Sequence, residues 1–179
     1  MYAKYTILKG MKLQLIAELT ARMAEFNAGE PALTQHLLKV HGFARTIGVL
    51  EGLDADALHT LEMAALTHDI GIKPCMEKHG TCTGKMQEEE GPQHARDMLM
   101  DMGVERTKIE RICYLIAHHH TYTNVDGMDY RILLEADFLV NIFEGSMGKE
   151  AREACYANVF RTDAGKRLFD AMFGKAYNG

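Results

Sequence analysis

Tryptophan is absent from this 179-residue chain, proline occurs three times and cysteine four times. Each scarcity excludes something. Three prolines leave few enforced breaks, so long regular elements are permitted. Four cysteines (Cys75, Cys82, Cys113 and Cys155) fall short of a disulfide framework and read as the reduced thiols of a cytoplasmic protein. No run is long and apolar enough to cross a bilayer, and residues 1–8 lack the apolar core of a signal peptide. A net charge of -5 gives no footprint for a nucleic-acid polymer or an anionic membrane. Single nucleotides stay open, because a metal and a few local cations can hold one phosphate. There is no internal repeat, no low-complexity tract and no strand-like alternation.

What is present is helical periodicity. The length suits one domain over residues 1–179, with a substantial core. Residues 10–27 carry Met11, Leu15, Ile16, Leu19 and Met23 on one side of a first helix. A second helix is predicted from Thr34 as N-cap, with Val40, Phe43, Ile47 and Leu50 as its stripe. Projected back one turn, that stripe reaches His36, while His41 falls off it, toward the surface. Asp54 caps a third helix that ends in Thr67-His68-Asp69-Ile70-Gly71. At ~100° per residue, Leu61, Ala64, Ala65 and His68 share a face, and His59 lies opposite, toward solvent. Residues 71–85 read as the longest irregular stretch. Lys73 lies near enough in sequence to reach a phosphate at the His-Asp corner. Cys75, His79 and Cys82 lack the fourth ligand and the spacing of a zinc knuckle.

Gln87 to Pro92 opens a further helix, with Pro92 in its first turn and Ala95, Met98, Leu99 and Met102 inward. His94, one turn before Met98, borders the same interior. The next helix buries Ile109, Ile112, Cys113 and Ile116 and ends in three histidines. His119 and His120 continue its stripe, and His118 points away. After the Asp126-Gly127 turn, a helix buries Tyr130, Leu133, Leu134 and Val140, and Asp137 sits within that stripe. A carboxylate there needs a partner: a metal, or an ion pair with Arg131 or Lys149. Thr162 caps a terminal helix that packs Leu168, Phe169, Met172 and Phe173, and residues 175–179 are expected to fray. His36, His68, Asp69 and Asp137 thus lie at or beside inward positions of separate helices. Two imidazoles and two carboxylates make a mixed nitrogen and oxygen donor set for a divalent ion.

The ordered set resembles the HD superfamily of metal-dependent phosphohydrolases. It comprises His36 with Phe43-Ala44-Arg45, then Thr67-His68-Asp69-Ile70-Gly71, then Leu134-Glu135-Ala136-Asp137-Phe138-Leu139. The resemblance spans about residues 30–174. It implies an all-α HD-domain helical bundle in which His36, His68, Asp69 and Asp137 hold one divalent metal per chain (Mn, Fe, Ni, Zn or Mg). It implies hydrolysis of a small phosphate ester, such as a nucleotide, by metal-activated water. Asp69, with Asp137 as the alternative, then serves as proton acceptor, and Lys73, His119 and His120 meet phosphate charge or protonate the leaving oxygen, His119 foremost. Three departures bear on the subtype. Gln87 stands where dinuclear members commonly place a histidine, four residues before the glycine matched by Gly91. Ile72 replaces a nucleotidase-like glutamate, and no Gly-Tyr-Pro follows the histidine triplet. A mononuclear site is therefore expected. The alternative is a second metal or phosphate site at His94, His119 and His120, which a di-iron oxygenase on this fold would need. A non-catalytic module that binds metal and nucleotide is the remaining class. Oligomeric state is not legible.

Overall fold

In a computed structural model, the helix carrying the His-Asp pair is the centre of the molecule. The structure describes the backbone of residues 2–174 and the side chains of residues 10–174. The expected fraying of residues 175–179 lies outside them. Nine helices and no strand occur among the described residues, so the all-α expectation holds. They are α1 (Tyr2–Phe26), α2 (Pro31–Leu50), α3 (Ala55–Thr67), α4 (Ile72–His79), α5 (Gly84–Asp101), α6 (Arg106–Ile116), α7 (Met128–Glu144), α8 (Lys149–Val159) and α9 (Asp163–Phe173).

Helix α3 packs against α1, α2, α6 and α7, and every residue from His59 to Thr67 is buried. Its start is set chemically: the Asp54 carboxylate accepts the backbone N–H groups of Asp56 and Ala57 at 2.8 and 2.9 Å. Helix α2 lies against α3 and α7, α5 pairs with α6, and α8 and α9 flank α7. One apolar core runs through this arrangement, from Leu19 and Met23 through Ile47, Leu61 and Ile116 to Leu139 and Phe169.

Several local expectations are corrected. Helix α2 begins at Pro31, whose fixed φ suits a first helical position, so Thr34 lies inside the helix. Residues 72–79 are helical rather than irregular, and Gly80 ends α4 in the left-handed conformation (φ 70°). Thr83 caps α5, whose Oγ1 accepts from the Met86 N–H, which puts Pro92 in the helix interior. Met11 and Met172 are exposed. His59 is buried, because α3 has no solvated side. His41 is half-buried and pairs with Glu62 at 3.2 Å. At the corner beyond Asp69, a Cβ on Gly71 would lie 2.9 Å from the Gly91 backbone nitrogen. Glycine there lets α4 and α5 close over the end of α3.

Candidate metal centre

Three separate segments bring four polar side chains to one buried point. His36 comes from the second turn of α2, His68 and Asp69 from the end of α3, and Asp137 from the middle of α7. His36 Nε2 lies 3.1 Å from Asp137 Oδ1, 3.3 Å from His68 Nε2 and 3.4 Å from Asp69 Oδ2. His68 Nε2 lies 3.5 Å from both Asp69 Oδ2 and Asp137 Oδ1. The pairing alternative for Asp137 is not found. Arg131 donates to the Val159 carbonyl at 3.2 Å, and Lys149 faces Glu153 at 3.8 Å.

The outer ring nitrogens fix what the inner ones can do. His36 Nδ1 meets Glu144 Oε2 at 2.8 Å, and His68 Nδ1 meets the Ala65 carbonyl at 3.0 Å. His119 Nδ1 meets the Ile116 carbonyl at 2.7 Å. Each partner is an acceptor, so each Nδ1 carries the hydrogen and each Nε2 turns a lone pair inward. There the lone pairs face carboxylate oxygens. His119 Nε2 is buried without a hydrogen bond, although Asp69 Oδ1 is 3.2 Å away. Acceptors facing acceptors at these distances repel unless positive charge sits between them. The donor set therefore fits a divalent cation.

The electrostatics agree. Burial opposes charge on His36, but the Asp137 hydrogen bond and the Asp69 and Asp137 charges outweigh it and hold the imidazole protonated up to about 9. Burial likewise opposes charge on His68, and the Asp69 charge and Asp137 bond raise its pKa regardless. Burial would raise Asp69, yet the His68 charge and the His119 contact bring it down to about 2. Asp137, buried but bonded to His36 and His68, lies far below the usual carboxylate range. Without a cation, the pocket recruits protons to the imidazoles to serve as one.

A second group adjoins the first. Ligand atoms of His36, His68 and Asp69 lie within 4.8 Å of one another, and so do those of Asp69, His119 and His120. Asp69 is common to both, with Oδ2 toward His36 and His68 and Oδ1 toward His119. His120 Nε2 donates to Gln87 Oε1 at 2.8 Å, which leaves its Nδ1 as the lone-pair atom. Burial, then the neighbouring His119, lowers the His120 pKa and favours this neutral form. Gln87, at the position of a departure from the family pattern, thus orients a histidine. Glu88 Oε1 accepts the His120 N–H and the Thr121 hydroxyl, both at 3.0 Å.

Two expected site residues lie elsewhere. Lys73 Nζ donates to the carbonyls of Phe26 and Ala28 at 2.9 and 3.2 Å, satisfying groups that the end of α1 leaves free. His94 packs its ring against Phe26 at 5.9 Å and belongs to neither ligand group. The oxygenase reading, which counted on His94, loses that ligand. Cys75 is buried with its thiol on the Thr81 carbonyl at 3.3 Å, and His79 faces Glu90 at 3.6 Å, so no knuckle forms. Glu144 was missed by sequence reasoning. Its signal was available: it lies two turns beyond Asp137 on the same face of α7.

No curated protein sequence matches the chain. A crystal structure of a predicted HD superfamily hydrolase from an uncultured Thermotogales bacterium is similar in fold. It has a TM-score of 0.64 and 24% identity, over 88% of this chain and 84% of that one. The sequence model of the HD domain matches residues 33–156, a span that contains His36, His68, Asp69, His119, His120 and Asp137. With more than half of its length matched, the chain belongs to the HD domain family.

Proposed function

We propose that the protein is a metal-dependent phosphohydrolase acting on a nucleotide or another small phosphate ester, with His36, His68, Asp69 and Asp137 as ligands of the ion. The observation that carries this reading is the inward convergence of Nε2 lone pairs and carboxylate oxygens, with His119 Nε2 left buried and unbonded. A divalent cation held there supplies Lewis acidity toward a phosphoryl oxygen and lowers the pKa of water. The chain's own groups move the proton. Asp69 Oδ1 receives it from the attacking water and stands 3.2 Å from His119 Nε2. The His119 imidazole, braced at Nδ1 by the Ile116 carbonyl, then delivers it to the leaving oxygen. His120 faces the phosphate as the neutral partner fixed by Gln87.

A second reading keeps the chemistry and adds a second ion between Asp69, His119 and His120. It is favoured by one observation: the two oxygens of Asp69 face different ligand groups. The test of the function is phosphate release from a panel of mono- and diesters by protein loaded with Mn, Fe, Ni, Zn or Mg. Turnover that disappears in Asp137→Asn while the helical signal persists supports it. Metal-loaded protein that hydrolyses none of the panel contradicts it.

A further inference from the structure

The chain is poor in exposed aromatic rings: among the large hydrophobic side chains described, only Tyr122 and Phe143 are exposed aromatics. Tyr122, at 43% exposure, lies near enough to the metal centre for the Asp137 charge to act on it. It directly follows His119, His120 and Thr121 in the chain. Its ring meets that of Phe138 at 5.2 Å, inclined by 63°. Phe138 in turn directly follows Asp137 on α7. The two rings therefore approach each other from two segments, each next to a candidate ligand. Their placement is fixed from beneath. The Tyr130 hydroxyl is shared between the carbonyls of His118 and Thr121, at 2.6 and 2.5 Å. Glu88 holds the His120 N–H and the Thr121 hydroxyl. The Tyr122 hydroxyl itself has no hydrogen-bond partner among the described residues. Burial and the nearby Asp137 charge raise its pKa, so it remains a neutral donor.

An exposed, braced aromatic ring has a cost in water that a ring-shaped ligand recovers. A core role does not account for it, since the core closes beneath with Tyr130, Leu133 and Leu134 buried. We propose that Tyr122, backed edge-on by Phe138, forms an aryl-binding face that selects phosphate esters bearing a planar aromatic group over aliphatic ones. This deepens the phosphohydrolase reading and rests on it for the location of the phosphate. The face of the Tyr122 ring stacks on the planar group, and Phe138 keeps that ring from turning away.

The test compares adenosine 5′-monophosphate with glycerol 2-phosphate as substrates for the metal-loaded wild-type protein, Tyr122→Ala, Tyr122→Phe and Phe138→Ala. The same proteins are examined by saturation-transfer NMR with adenosine, which lacks phosphate. Loss of one stacking partner raises KM for the adenylate about tenfold in Tyr122→Ala, with glycerol 2-phosphate turnover unchanged. Tyr122→Phe keeps the wild-type KM, because the stacking face survives, and Phe138→Ala shows a smaller rise. Equal losses on both substrates, or wild-type turnover confined to glycerol 2-phosphate, overturn the proposal. If the wild type hydrolyses neither, the phosphohydrolase reading fails on its own account and NMR decides the aryl face. An adenosine signal that vanishes in Tyr122→Ala then supports the proposal, and no wild-type signal overturns it.

Discussion

Glu144 Oε2 lies 2.8 Å from His36 Nδ1, and the other oxygen of the same carboxylate accepts from Lys39 Nζ at 2.8 Å. The pair fixes the His36 tautomer and leaves its Nε2 lone pair open to an ion. A carboxylate behind a ligating imidazole also raises its basicity. Glu144→Ala should therefore weaken metal affinity about 10–100-fold with the fold intact. Glu144→Gln, which still accepts from Nδ1–H, should lose less. Competition with a chromogenic chelator measures both, and equal affinity in Glu144→Ala and the wild type would contradict this role.

A second carboxylate is structural. Glu62 is buried on α3, where its Oε1 accepts from Arg45 at 2.6 Å and meets His41 at 3.2 Å. Burial would raise its pKa, but the His41 and Arg45 hydrogen bonds bring it below 4.5. An acid with a depressed folded pKa contributes stability that is complete above the unfolded value and is lost as pH falls through the folded one. Arg45→Ala should cost about 1–2 kcal/mol near neutral pH, since it leaves a buried acceptor short of a charged donor. The cost should shrink in acid, as Glu62 protonates. Denaturant titrations across pH check both, and a pH-independent cost would contradict the assignment.

His59 carries a linkage of the same sign from a different cause, desolvation rather than pairing. Its ring is buried with Nε2 unbonded, and Nδ1 lies 3.5 Å from Lys108 Nζ. Burial, then the Lys108 and Lys12 charges, holds its pKa below 6.5. The unfolded chain therefore binds a proton below 6.5 that the folded chain refuses. Stability is complete above that value and declines as pH falls from it through the folded pKa. His59→Gln should reduce the loss of Tm between about pH 7.5 and pH 5.5 relative to the wild type. An unchanged difference would place His59 outside this linkage.

His59 also marks where sequence reading stops. The inward positions of His36, His68 and Asp137 were legible because α2 and α7 have a clear stripe, and Asp137 interrupts an apolar one. Asp54 and Thr162 were legible as caps, since their chemistry is local. His59 was misread because periodicity assumes a polar face, and α3 is packed by α1, α2, α6 and α7. Residues 72–79 looked irregular because Gly71 and Gly80 flank them and Pro74 lies among them. Pro74 falls in the first turn of α4, where a missing N–H costs no bond. His94 was assigned to the interior from spacing alone, but the rotation of α5 turns it to Phe26. Which way Lys73 reaches is a tertiary fact that no local pattern contains.

The junction of α8 and α9 depends on one buried acid. Glu135 accepts the N–H groups of Arg161 and Thr162 at 2.6 and 2.9 Å and bonds the Thr162 hydroxyl. That hydroxyl also accepts the Gly165 N–H at 2.9 Å, capping α9. Thr162→Ala should cost about 1–2 kcal/mol, and Thr162→Ser much less. Gly165→Ala would drive a methyl group into the Glu135 carboxylate and the Thr162 hydroxyl, at about 1–3 kcal/mol. Thermal melts of the three variants check the ranking. A neutral Gly165→Ala would show that the contact relaxes freely.

The measurement closest to the central claim is metal content per chain, by inductively coupled plasma mass spectrometry, on wild-type protein and Asp137→Asn purified without chelator. The account predicts about one transition-metal ion per wild-type chain, lost or much reduced in the variant at unchanged helicity. About two ions would establish the shared-Asp69 arrangement. No ion in the wild type, even after reloading with each metal, would contradict the account and leave the four residues as a protonated buried network.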